Sequence, residues 1–219
     1  MTLLERLRPS VLRGDRKRGQ RGSVVREYVE AILLAVALAL FIRTFVVQAF
    51  KIPSGSMLPT LLVGDHLLVN KLLYGIRIPF VGKRVLQVYE PERDDIVVFI
   101  FPDDRNKDFI KRVQGVPGEK LEIRDKVLYI NGEVVEDAFA HFPKDSRVRP
   151  GAIRDNFGPI VIPAGEVFVM GDNRDYSHDS RFWGTVPIDD IRGKAFVLYF
   201  SWDSEAFSPR WGRTGMLLH

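Results

Sequence analysis

The sequence predicts a mainly β protein, in which a single N-terminal transmembrane helix is followed by an antiparallel β core with an inserted, smaller β-rich subdomain. Two patterns lead to this fold class. An apolar run without glycine or proline occupies residues 31–42, whereas the chain after residue 65 alternates in short, β-branched segments separated by turn residues. The composition, 46% hydrophobic and 27% charged in 219 residues, suits one packed domain of good size.

The apolar run becomes long enough to cross a bilayer when it is extended to residues 29–50. A spanning helix needs about 20 residues, and residues 45–50 continue the run if Arg43 reaches the far interface. We therefore predict a transmembrane anchor over 29–50. A cleaved signal peptide and a buried amphipathic helix of a soluble domain are the alternatives.

The positive charge is concentrated before the anchor. Residues 1–26 carry a net charge of +6, so the rest of the chain carries −2 of the formal total of +4. The positive-inside rule then predicts a basic cytoplasmic tail at 1–28 and an extracytoplasmic domain at 51–219. A folded domain with net negative charge argues against a nucleic-acid partner. The chain has no cysteine, which excludes disulfides and thiolate metal sites.

The β core is predicted from short segments with strand-like patterns. These segments are 66–71, 95–101, 109–116, 120–124, 127–130, 159–162, 166–170 and 195–201. Turn residues at 125–126, 131–132 and 163–165 indicate hairpins. The inserted subdomain is expected at approximately 121–165, and its charged part, 132–158, is expected to form loops that stand away from the core.

The first stretch whose side chains could take part in a reaction is 52–61, Ile-Pro-Ser-Gly-Ser-Met-Leu-Pro-Thr-Leu. Pro53 and Pro59 fix their backbone angles and lack an N–H, while Gly55 permits conformations that other residues resist. This pattern predicts a rigid loop that presents Ser56. An ordinary surface turn has the same local composition.

The second stretch is the predicted strand around Lys111. Alternation in a strand places Lys111 on one face with Phe109 and Val113. If Lys111 is buried there and its pKa falls by roughly 2.5 units, its neutral amine can accept a proton from a serine hydroxyl. The alternative is an edge-strand lysine that reaches solvent.

The third stretch, 171–181, reads Gly-Asp-Asn-Arg-Asp-Tyr-Ser-His-Asp-Ser-Arg, and its alternating charges predict an internally braced loop. A calcium loop is disfavoured because Ser180 and Val186 occupy the positions that require glycine and glutamate. His178 would complete a Ser-His-Asp set on composition alone. We predict neither a metal nor another cofactor.

Taken in order, these three stretches resemble those of bacterial type I signal peptidases, membrane-anchored serine proteases that remove leader peptides from exported proteins. The resemblance covers most of the chain, including 45–50, Gly64-Asp65 and 95–99. It implies Ser56 as the nucleophile and Lys111 as the general base. Some members of that family have two spans, whereas one is predicted here.

The resemblance also implies roles for further residues. Ser54 would join the Ser56 N–H in an oxyanion hole, Ser177 would orient Lys111, and Asp179 and Arg181 would brace the loop as an ion pair. Shallow pockets would accept small residues one and three positions before the cut, as in Ala-x-Ala. The residues expected to line these pockets are Ile52, Pro53, Met57, Phe109 and Ile110.

The expected protein is thus a single-pass endopeptidase of the cytoplasmic membrane with an extracytoplasmic catalytic domain. Its expected partners are secretory preproteins and the lipid bilayer, and the chain is expected to be monomeric. Another Ser/Lys processing protease and a self-cleaving repressor are the alternative enzymes. An inactive extracytoplasmic scaffold is the alternative from another class.

Overall fold

A computed structural model describes residues 20–77, 84–85, 89–143 and 147–218, with side chains from residue 24 onward and excluding 76–88. Most of the predicted basic tail, residues 1–19, lies outside the described residues. The chain divides into two compact units, Met1–Phe41 and Ile42–His219.

The first unit contains helix α1, Gln20–Phe41, whose apolar side chains are exposed. A π-helical turn, Ile42–Val46, follows it. By length and composition, Val24–Val46 is suited to crossing a membrane. The segment ends earlier than the predicted residue 50, because Val47–Lys51 form a strand whose backbone pairs with Asp65–Asn70.

The second unit is mainly antiparallel β, which confirms the predicted fold class. Short helical turns occur at α2 (Ser180–Trp183), Ile188–Asp190 and Trp211–Arg213. The strands, numbered along the chain, are β1 (Val47–Lys51), β2 (Asp65–Asn70), β3 (Ile76–Arg77), β4 (Arg84–Val85), β5 (Ile96–Ile100), β6 (Asp108–Gly115), β7 (Lys120–Arg124), β8 (Val127–Ile130), β9 (Glu133–Val134), β10 (Phe157–Val161), β11 (Glu166–Met170), β12 (Val186–Pro187), β13 (Ile191–Asp203), β14 (Ser208–Pro209) and β15 (Met216–Leu217).

The larger sheet has the order β1-β2-β13-β5-β6-β11-β12, and β14 and β15 also pair with β13. Both of its faces are covered near β5. Ile96 and Val98 belong to one core cluster, while Val97 and Phe99 belong to another. Because successive side chains of a strand point to opposite faces, this explains the unbroken apolar run in β5. Strand β6, which carries Lys111, therefore pairs with a rigid strand that is shielded from water on both faces.

The smaller sheet has the order β10-β7-β8-β9. Its hairpins turn at 125–126 and 131–132, where Asp125 (φ 52°), Lys126 (φ 69°) and Asn131 (φ 54°) adopt left-handed backbone conformations. Such conformations match the twist of two-residue hairpin loops. A third core cluster, which includes Leu121 and Phe168, packs this sheet against the rest of the unit.

The prediction that 132–158 stands away from the core is wrong for residues 139–141. The His141 N–H donates to the Asp172 carbonyl at 2.8 Å, and the Arg174 N–H donates to the His141 carbonyl at 2.9 Å. Phe139 lies 3.6 Å from the Arg112 guanidinium. The aromatic ring and the backbone groups of this segment find partners in the core, which local composition does not reveal.

Candidate active site

The loop that carries Ser56 is held by backbone hydrogen bonds at its ends and by two side chains that pack into the core. The Ile52 N–H donates to the Asp65 carbonyl at 2.8 Å, and the Gly64 N–H donates to the Ile52 carbonyl at 3.0 Å. Met57 and Leu61 are fully buried in the core. Because both ends of the loop are fixed, Ser56 is presented on a rigid backbone.

A second loop, which begins after β11, holds the loop that carries Ser56 from the side. The Asn173 N–H donates to the Ser56 carbonyl at 3.1 Å, and Asn173 Nδ2 donates to the Gly55 carbonyl at 2.9 Å. Gly171 lies at the point of closest approach. A Cβ there would sit 2.4 Å from the Ser56 carbonyl oxygen and 2.3 Å from Ser177 Oγ, so only glycine fits.

Lys111 contacts Ser56 directly. Strand β6 pairs with β5 so that Lys111 stands opposite Val97. Its Nζ lies 2.8 Å from Ser56 Oγ and donates to the Ile110 carbonyl at 2.9 Å. Lys111 is only 3% exposed. Burial lowers its pKa from 10.5 to about 8, although the carboxylates of Asp179 and Asp172 oppose the shift.

These features give the Ser56–Lys111 pair a definite chemical capacity. A neutral amine at 2.8 Å can accept the proton of the serine hydroxyl. With a pKa of about 8, an appreciable fraction of Lys111 is neutral near physiological pH. His178 is exposed and packs its ring near Phe101 and Phe182. Thus the amine of Lys111 is the basic group bound to the serine.

Arg112 and Asp172 support the site from the opposite face of β6. Arg112 Nε and Nη2 each donate to an Asp172 carboxylate oxygen at 2.9 Å, and both side chains are completely buried. The Thr60 hydroxyl also donates to the Asp172 carboxylate, at 2.6 Å. The pair therefore ties the loop that carries Ser56 to the strand that carries Lys111. Sequence reasoning missed this pair and Asn173, although all three lie within the stretches it singled out.

Asp179 and Arg181 form a second buried ion pair. Arg181 Nε and Nη2 donate to the two Asp179 oxygens at 2.9 and 2.8 Å, and the Gly171 N–H donates to Asp179 at 3.1 Å. Burial alone would raise the pKa of Asp179. The hydrogen bonds and charge of Arg181, with the Ser177 hydroxyl and the Gly171 N–H, outweigh burial and lower the pKa. Asp179 thus stays ionised beside the site.

Two serines with predicted roles lie nearby. Ser54 is exposed and lines the same cleft as Ser56. Ser177 is fully buried next to Asp179 and Gly171. The hydrogen bonds of Lys111 described above go to Ser56 and Ile110 and do not include Ser177. The orienting role of Ser177 and the oxyanion role of Ser54 stay predictions.

A cleft of about 750 Å³ opens over Ser56 and Lys111. Of the residues expected to bind substrate, Pro53, Phe109 and Ile110 line it. Ile52 and Met57 do not, because their side chains point into the hydrophobic core and are 2% and 0% exposed. A substrate contact of Ile52 and Met57 therefore stays a prediction, since a residue in a packed loop can face inward as easily as toward the cleft.

The fold and the site together define a class of protein: a mainly β hydrolase with a serine beside a buried amine. The family described as signal peptidase, peptidase S26, matches residues 25–202. The chain belongs to this signal peptidase family.

Two relatives that are at least 33% identical support this assignment. Signal peptidase I of Pseudomonas fluorescens is 40% identical over an alignment that covers 87% of this chain and 78% of the relative. Signal peptidase I of Aquifex aeolicus is 33% identical, with coverage of 84% and 88%. A crystal structure of a signal peptidase I from Enterococcus faecalis is 31% identical and covers 48% of this chain and 96% of its own, with a TM-score of 0.40.

Proposed function

We propose that this protein is a membrane-anchored serine endopeptidase that cleaves N-terminal signal peptides from exported preproteins after small residues. The observation that carries the proposal is the 2.8 Å separation of Ser56 Oγ and Lys111 Nζ in a buried setting. Membership of the signal peptidase family supports the reaction. Ser56 is the proposed nucleophile and Lys111 the proposed general base.

The reaction proceeds through an acyl-enzyme. Ser56 Oγ attacks the scissile carbonyl carbon while Lys111 Nζ accepts the hydroxyl proton. The C–N bond then breaks, and Lys111 returns the proton to the leaving amine. Lys111 Nζ then takes a proton from a water molecule that attacks the ester carbon, the C–O bond to Ser56 breaks, and Lys111 returns the proton to Ser56 Oγ. The Ser54 hydroxyl and the Ser56 N–H stabilise the oxyanion in both steps.

Specificity for small residues follows from the shape of the cleft wall. Pro53, Phe109 and Ile110 are apolar and lie close to Ser56 and Lys111. Bulky side chains next to the cut clash with these walls, whereas alanine does not. This accounts for an Ala-x-Ala preference without a charged specificity group.

We also propose that the apolar segment Val24–Val46 anchors the protein in the cytoplasmic membrane. The basic residues before it would stay in the cytoplasm, and residues 51–219 would form the extracytoplasmic catalytic domain. Approximately 121–165 forms the inserted subdomain in this scheme. The protein acts as a monomer on preproteins that share its bilayer, which raises their effective concentration.

Precursor cleavage tests the proposed function directly. The full-length protein in detergent micelles should cleave a precursor with an Ala-x-Ala site and should cleave versions with leucine or tryptophan before the cut at least about 100-fold more slowly. The product is identified by N-terminal sequencing. The variant Ser56→Ala is the matched control for contaminating proteases. Cleavage by Ser56→Ala at the wild-type rate, or equal cleavage of all the precursors, would sink the proposal.

The pH dependence of cleavage reports on Lys111. Only its neutral form accepts a proton, so the activity is lost as pH falls below its pKa of about 8. We expect kcat/KM to rise about tenfold per pH unit below pH 7 and to level off above about pH 8. Initial rates of precursor cleavage between pH 6 and 10 give kcat/KM, and circular dichroism at each pH is the control for folding. A rate that continues to climb to pH 10 would show an amine with an ordinary pKa.

A further inference from the structure

A second depression of about 510 Å³, called here the exit groove, adjoins the catalytic cleft. His141 lines both of them. The loop that carries Ser56 also runs along both, because Pro53–Ser56 and Leu58 line the cleft and Pro59 and Thr60 line the groove. The groove therefore begins where the cleft ends, along one continuous stretch of backbone.

The exit groove has apolar walls, and the arginine that lines it is paired with a carboxylate. Its walls include Phe139, Met216 and Leu217. The guanidinium of Arg213 also lines it, but Arg213 Nη2 pairs with the buried carboxylate of Asp65 at 2.7 Å. A ligand in this groove gains most from apolar side chains, because the charge of Arg213 is already neutralised. The volume lies within the range of about 300–1,000 Å³ found for ligand pockets.

An endopeptidase must hold the polypeptide on both sides of the bond that it cuts. In the proposed function, the residues before the cut lie in the cleft beside Phe109 and Ile110. We propose that the exit groove binds the residues after the cut, the beginning of the mature protein, and selects apolar side chains there through Met216 and Leu217. The inference rests on the proposed function and extends it to the leaving side of the substrate.

A precursor series tests this in the full-length enzyme in detergent micelles. The precursors are identical through the cleavage site and carry leucine, lysine or glutamate at one of the first few positions of the mature part. We expect the wild type to prefer leucine over lysine by about tenfold in kcat/KM for at least one position. Leu217 is 63% exposed. Leu217→Lys should therefore fold and should shift the preference at that position toward glutamate by a similar factor.

Three controls make the result specific. Val161→Lys introduces the same charge at an exposed site of the smaller sheet and should leave the ranking unchanged. Ala138→Trp, on the groove wall, should slow cleavage of the precursors by steric filling. A short substrate with a chromogenic amide directly after the cleavage-site carbonyl has nothing to place in the groove, so wild type, Leu217→Lys and Ala138→Trp should hydrolyse it equally.

The outcomes separate the groove from the reaction itself. If Leu217→Lys and Ala138→Trp cleave every precursor at the wild-type rate and with the wild-type order of preference, the exit groove is not a substrate site. If they alter only binding to anionic lipid vesicles, the groove is a membrane contact and the inference is overturned. Failure of the wild type to cleave even the short substrate would instead overturn the proposed function and the inference with it.

Discussion

Lys111→Met will lower kcat/KM for precursor cleavage by about 10⁴-fold or more, because a serine without its base loses nearly all of its nucleophilicity. Methionine keeps the length and the apolar stem of lysine but cannot accept the proton from Ser56. The measurement is single-turnover cleavage of an Ala-x-Ala precursor with enzyme in excess. A loss of less than about tenfold would show that another group activates Ser56.

Two comparisons distinguish lost chemistry from lost structure. Ser56→Ala should have an effect of similar size, and the double variant Ser56→Ala/Lys111→Met should be no slower, because the two groups act as a unit.

The thermal stability of Lys111→Met should rise while its activity falls. Since burial lowers the pKa of Lys111 from 10.5 to about 8, its charged form costs about 3 kcal/mol of folding free energy. This cost is fully present below pH 8 and disappears toward pH 10.5, so Lys111→Met should melt at a higher temperature near pH 7.

Asp172→Ala will destabilise the second unit by about 3–5 kcal/mol, because it leaves the completely buried guanidinium of Arg112 without its carboxylate. The hydrogen bond from the Thr60 hydroxyl is lost at the same time. Thermal and urea unfolding in detergent, followed by tryptophan fluorescence, measure the change. Removal of the Asp172 charge should also lower the pKa of Lys111 further, and the pH–rate profile should shift toward lower pH.

The double variant Arg112→Met/Asp172→Leu tests whether the loss comes from an unpaired charge. Replacing both members of a buried ion pair by apolar residues often restores stability. The double variant should therefore be more stable than Asp172→Ala alone. If the free energy of unfolding of Asp172→Ala lies within about 1 kcal/mol of that of the wild type, the pair does not support the site in the way described.

Much of the fold was predictable because its signals are local. The strands β7, β8 and β11 coincide with the predicted segments 120–124, 127–130 and 166–170. Burial alternates along β7 and β8, whereas β11 is a short apolar run that follows a glycine. The short strands β12, β14 and β15 were missed because two residues carry no periodicity and depend on pairing with β11 or β13.

The site was predictable in its identity but not in its supports. Ser56 and Lys111 were singled out because three stretches, taken in order, resemble those of a known family, whereas each pattern alone also suits a surface turn or an edge-strand lysine. Asn173 holds the loop that carries Ser56 through a contact across 118 positions of sequence. Such a contact leaves no local trace, and neither does the inward orientation of Ile52 and Met57. These features depend on tertiary packing, which the sequence alone did not predict.

The contact between residues 137–141 and the loop after β11 also limits how the length of this chain can vary. His141 is hydrogen-bonded on both sides to Asp172 and Arg174, whereas Pro150 and Gly151 lie exposed at the tip of the same insertion. Exposed loop tips tolerate added or deleted residues, and tied segments do not. Added residues near Pro150 and Gly151 should therefore be tolerated, whereas a change of length at 139–141 would displace the loop that holds Ser56 through Asn173.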